Sequence, residues 1–139
     1  MFRFLLILVL PALSLVAQNQ PPTVKKVPAA VTPAWSGDQM FKSYCASCHG
    51  VDAKGSGPAA AALKMPIPDL TTISKRHGGV YPELQVVSAV RGDVNVTAHG
   101  SKDMPVWGHV FREMNNGGEK ETQLRVRNLV KYIESLQQK

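Results

Sequence analysis

Two cysteines are present, and they stand together in Cys45, Ala46, Ser47, Cys48, His49. On a helical turn, thiols three positions apart point to one side, where both can add to the two vinyl groups on one edge of a porphyrin and form two thioethers. The next residue then lies beneath the iron. His49 offers an imidazole nitrogen as proximal ligand, and its other ring nitrogen is expected to donate to a backbone carbonyl. C-x-x-C-H is thus the attachment pattern of a c-type haem, and two cysteines limit the chain to one such group.

Other uses of this spacing fit less well. A structural zinc site needs four ligands, commonly from a second pair at similar spacing, and His77, His99 and His109 do not form one. A dithiol of the thioredoxin kind follows a strand in a βαβ pattern, whereas the segment before Cys45 reads as helix. A Cys45–Cys48 disulfide closes a tiny loop and stabilises little.

The elements that must position the motif begin at Ser36, which with Gln39 spells a capping box. It opens a helix through Gly37, Met40, Phe41 and Tyr44 that places Phe41 and Tyr44 on the motif's face. Near the other end Val126, Leu129, Val130, Ile133 and Leu136 recur at helical period. Between them, Gly50 to Gly57 is small and flexible, and Pro58 to Leu63 reads as a short alanine-rich turn. Asp69 is placed to cap a short helix through Lys75. Pro82 opens another over Glu83 to Arg91, with Gly92 as its stop. Val94 to Thr97 reads as an extended loop, and Met114 falls on a helix after Trp107.

The sequence resembles the class I (monohaem) cytochrome c family, in its bacterial exported form, over roughly Ser36 to Leu136. Gly37 and Phe41 match its Gly-x-x-x-Phe, and Leu129 and Tyr132 match its Leu-x-x-Tyr. The resemblance implies an all-α fold of about four to five helices around one covalent haem, with the N- and C-terminal helices crossing at the glycine.

A carrier gains from a strong second axial ligand, because a six-coordinate iron changes geometry little on oxidation, and a Met thioether raises the potential. Of the five methionines, Met1 leaves with a leader, while Met40 and Met114 read as core. Met65 and Met104 each precede a proline, which favours an extended loop. Met65 follows His49 by 16 residues and Met104 by 55, after two helices able to build the distal side. Asp103 to Gly108 also resembles the family's Met-Pro-x-Trp-Gly loop. The expected site is therefore Cys45 and Cys48 as thioethers, with His49 and Met104 on the iron. His99 and His109 are the rivals for the sixth position. Trp107 is open between a haem-edge contact, a propionate bond and loop packing, and Arg91 and Lys102 are open as propionate partners.

The start of the chain has a short basic segment with Arg3, an apolar run from Phe4 to Val16 and a small residue, Ala17. Residues 1–17 are expected to be a signal peptide, since a run of 13 residues containing Pro11 is short of the roughly 20 that a membrane span needs. Residues 18–33 carry four prolines and no aromatic, the composition of a linker. Residues 34–139 form the expected domain, small enough for a large apolar cofactor to supply part of its core.

The formal charge of +6 is spread along the chain without a basic run, and aromatics are sparse, which argues against nucleic-acid binding. It suits redox partners with acidic docking faces. The reading is a single-electron carrier in a respiratory or other periplasmic chain, a monomer or a complex subunit, touching a membrane only where the leader is retained. Two alternatives stay open: a haem subunit of a larger membrane-associated oxidoreductase, and a haem enzyme or sensor with a labile sixth ligand.

Overall fold

The computed structural model describes residues 31–63, 65–93, 104–114 and 118–138. The leader, the linker before Val31, the segment 94–97, His99 and Lys102 lie outside them. Every regular element among the described residues is helical.

The first rod opens at Ser36, whose hydroxyl accepts from Gln39 N (3.4 Å) and donates to Asp38 (2.7 Å). The expected box is only half formed, because Ser36 N donates instead to Pro33 O at 3.1 Å. Helix α1 (Gly37–Met40) runs into a π-type turn over Phe41–Cys45 and then α2 (Ala46–His49). The wider turn, of a kind often found at functional sites, runs into the motif and ends on its first cysteine, Cys45. Nothing in residue type or spacing announces it.

The segment after Gly50 is more ordered than its small residues suggest. It folds back over the end of α2, where Gly50 N, Ala59 N, Gly57 N and Gly55 N donate to the carbonyls of Ala46, Ser47, Cys48 and His49 at 2.7 to 3.1 Å. The last turn of a helix leaves four carbonyls without intrahelical donors, and here each finds one. Gly57 is needed for that approach, since a Cβ on it would lie 2.6 Å from Ala46 O and 2.7 Å from the Cys48 carbonyl carbon.

A 3₁₀ turn occupies Ala60–Ala62, the position of the expected alanine-rich turn. Asp69 caps a second 3₁₀ turn, Leu70–Thr72, through Thr71 N at 2.8 Å, and α3 (Ile73–Arg76) continues it. Helix α4 (Glu83–Arg91) begins one residue after Pro82, which stands at its N-cap, and stops at left-handed Gly92. Helix α5 covers Trp107–Glu113 and α6 covers Glu119–Ser135.

Helix α6 is the hub, with α1, α4 and α5 all packing on it. Its Val126, Leu129, Val130 and Ile133 are buried with Met40, Phe41 and Phe111, as the helical period predicts. Beyond its end, Gln137 takes Ser74 N (2.8 Å) and donates to Leu70 O (2.8 Å), fastening the α3 region to it. Tyr81 donates to Val130 O at 3.1 Å, and its burial raises the phenol pKa.

The α1–α6 crossing is close because Gly37 has no side chain. A Cβ there would collide with Asn128 O and stand 2.8 Å from Tyr132 Cβ, while Phe41 and Tyr132 pack with ring centroids 5.5 Å apart. Three of the four residues carrying the family resemblance, Gly37, Phe41 and Tyr132, therefore meet at one crossing, and the fourth, Leu129, is fully buried. Gly37→Ala is expected to force the helices apart and cost about 1 to 3 kcal/mol, read as a lowered denaturant midpoint of the haem-loaded protein.

Candidate haem site

A cleft with about 590 Å³ of empty space, part of it open to solvent, has Cys45, Cys48 and His49 in its lining. Tyr44 completes that stretch of wall, so four residues of the π turn and α2 face one space. The apolar side chains of Leu63, Met65, Pro66, Ile67 and Pro68 form more of the lining, and Met104, Pro105 and Trp107 contribute the rest.

The methionines are sorted by burial and position. Met40 is fully buried in the core, and Met114 packs against the core away from the cleft. Met65 lines the cleft but is 46% exposed, whereas Met104 lines it while packed against the core. Of the described histidines only His49 reaches the cleft. His77 is exposed, with Nδ1 2.9 Å from Ile73 O, and His109 is exposed and 3.1 Å from Glu113. Arg91 pairs with Asp93 (2.8 Å) and Glu119 (3.3 Å) and does not line the cleft.

Trp107 has the packing role among those expected of it. It is buried, lines the cleft, and packs with Tyr44 (centroids 5.2 Å apart) and Phe111 (5.6 Å). Its place at the start of α5 is set by α4, since Arg91 backbone lies against Gly108 so closely that a Cβ there would be 2.7 Å from Arg91 O. The loop holding Met104 is thus pinned just after the methionine.

The donor set fits a c-type haem. Two separate thiols, an imidazole and thioethers share a predominantly apolar cleft, and imidazole and thioether are haem-iron ligands. Among the described residues no three His, Cys, Asp or Glu side chains group to hold a bare metal ion. Burial, with Cys48 adding to it, pushes the Cys45 thiol up to about 12, because an apolar wall disfavours the charged thiolate.

The cytochrome c family model matches residues 34–137. The chain belongs to the cytochrome c family. No curated protein and no solved structure matches it. As a member it binds a covalent c-type haem and is a haem-based electron carrier, a role in which the haem supplies a one-electron couple. No helix among the described residues is long and apolar enough to cross a membrane.

Sequence reasoning did not assign the wall formed by Leu63 and by Met65 to Pro68, although the run Met65, Pro66, Ile67, Pro68 is the composition of a stiff apolar surface. It also gave Tyr44 a place on the motif's face and no further role. Asp69 fixes the end of that wall: its carboxylate accepts from Thr71 Oγ1 (2.6 Å) and Thr71 N (2.8 Å), and these bonds hold its pKa below the usual carboxylate range. A lowered native value means that this contribution is full above the unfolded pKa of about 3.9 and is lost as pH falls through the native value. Asp69→Ala is expected to cost about 1 kcal/mol at neutral pH, with the gap from wild type closing in acid. Denaturant titrations at the two pH values measure it.

Proposed function

We propose that the chain is an exported single-electron carrier whose haem is joined to Cys45 and Cys48 and ligated by His49 and Met104. The observation that carries this reading is the sharing of one cleft lining by Met104 and the C-x-x-C-H residues, with Met104 the more sheltered of the two methionines there. Both ligands rise from restrained backbone. His49 ends a helix whose carbonyls are all bonded, and Met104 precedes Pro105 and the buried Trp107.

A closed sixth position suits electron transfer, because the iron keeps its geometry in both oxidation states and no coordination site is left for oxygen. The apolar walls exclude water from the haem faces and favour the less charged, reduced state. The formal charge of +6, or +5 once Arg3 leaves with the leader, suits encounter with acidic faces of redox partners. Residues 1–17 fit removal on export to the periplasm, the compartment in which this carrier works.

Ferric wild-type protein is expected to be low-spin with a Met-to-iron charge-transfer band. Met104→Ala should abolish the band, open the ferrous iron to carbon monoxide and lower the potential on the order of 0.1 V, within the roughly 0.8 V range that axial ligands span. Retention of the band in Met104→Ala, with its loss in Met65→Ala, would move the ligand to Met65. Mass spectrometry of the mature protein should find its first residue near Gln18, and an intact leader would contradict release into the periplasm.

A further inference from the structure

Arg125 is 2% exposed, yet its charge is not spent on the haem cleft, whose lining does not include it. Nε and Nη2 donate to Glu121 Oε1 at 3.1 and 2.8 Å, and Nη1 donates to Thr32 O at 2.8 Å. One turn further along α6, Asn128 donates to Ala34 O at 2.9 Å. Residues three apart on a helix share a face, and they grip alternate carbonyls of the segment 31–34. Thr32 and Ala34, at the end of the expected linker and the start of the expected domain, are both buried there.

The segment is also gripped by Tyr44. The phenol oxygen accepts from Thr32 N at 3.1 Å and bonds Thr32 Oγ1 at 2.8 Å. The same tyrosine lines the cleft and packs its ring on Trp107, centroids 5.2 Å apart and planes tilted by 31°. Trp107 lies three residues beyond Met104, with Pro105 stiffening the interval. An unbroken series of direct contacts therefore runs from a buried guanidinium through Thr32, Tyr44 and Trp107 to the Met104 loop.

We propose that the segment 31–34 is a positioning strap for Met104: Arg125 holds the strap, the strap holds the Tyr44 ring, and the ring fixes the Trp107 that anchors the loop. Stability alone is a weak reason for a buried ion pair, which well-packed apolar residues commonly match. Directional bonds to one carbonyl specify where the strap lies, which apolar packing does not. Tyr44 and Arg125 are positioning residues acting through their neighbours, and the claim rests on Met104 being the sixth ligand.

The test uses full-length, haem-loaded protein. Imidazole is titrated into the ferric form while the Met-to-iron band is followed, so that loss of the band reports displacement of the methionine. Tyr44→Phe keeps the ring and removes the hydroxyl, and Arg125→Met releases the strap from α6. Ile133→Val, buried on α6 outside the cleft lining, controls for general loss of stability. Each strap variant is expected to raise the apparent imidazole affinity about tenfold, the effect of losing one or two buried hydrogen bonds, with Ile133→Val close to wild type. Equal affinity in wild type and Tyr44→Phe, or the same rise in Ile133→Val at matched stability, overturns the strap. Should Arg125→Met fail to fold, Tyr44→Phe decides alone. A wild-type protein without the band overturns the Met104 assignment itself, a result separate from a band that is present and indifferent to Tyr44→Phe.

Discussion

Two thiols and an imidazole from five consecutive residues can serve one cofactor only if the turn that carries them does not fray, and a helix end frays unless its last carbonyls find donors. Here the donors come from the chain that follows, with four backbone N–H groups between Gly50 and Ala59 closing on Ala46 to His49. That closure demands a near-contact of backbone on backbone, which Gly57 permits. It also launches the chain away from the motif toward Leu63, so the same bonds that fix the haem-binding turn set the course of the apolar wall that follows.

The second restraint is the crossing of α1 on α6. Gly37 sits against Asn128 and Tyr132, and this contact fixes the angle at which the first rod leaves α6. The π turn then widens the rod over Phe41–Cys45. With its start held by the crossing and its end by the returning loop, the motif segment is restrained at both ends while its thiols and imidazole stay in the cleft. Helix α6 also receives α4 and α5, so the loop carrying Met104 and the rod carrying His49 are referred to one common element.

Much of this was legible in the sequence because the physics is local or periodic. C-x-x-C-H encodes its chemistry in its spacing, the α6 stripe encodes its burial, and Asp69, Pro82 and Gly92 mark ends through their own backbone preferences. What was not legible depends on partners distant in sequence. Ser36 N has a choice between a Gln39 side chain and Pro33 O, and the chain's path into the helix decides for the carbonyl. Gly50 to Gly57 looks pliant because small residues permit many conformations; the hydrogen-bond demand of the helix end selects one. The buried state of Arg125 could not be seen at all, since in sequence it stands between Leu124 and Val126 as an ordinary charge on an amphipathic helix.

Arg125 also shows why residues before the expected domain start belong to its packing. An extended segment carries two hydrogen-bonding groups per residue, and burying it without partners would cost more than its few apolar contacts return. Segment 31–34 has little apolar side chain to bury, so its docking depends on those groups being met: Thr32 O by Arg125, Thr32 N by Tyr44, Ala34 O by Asn128 and Pro33 O by Ser36 N. A neutral side chain of Arg125's length offers at most part of that geometry, whereas a guanidinium supplies one fork for Glu121 and another nitrogen for the strap. The acid that neutralises it is four residues earlier on the same helix and half-exposed, so the charge is balanced without drawing on the cleft. The cleft lining thereby stays predominantly apolar while a charged clamp outside it holds the backbone of segment 31–34.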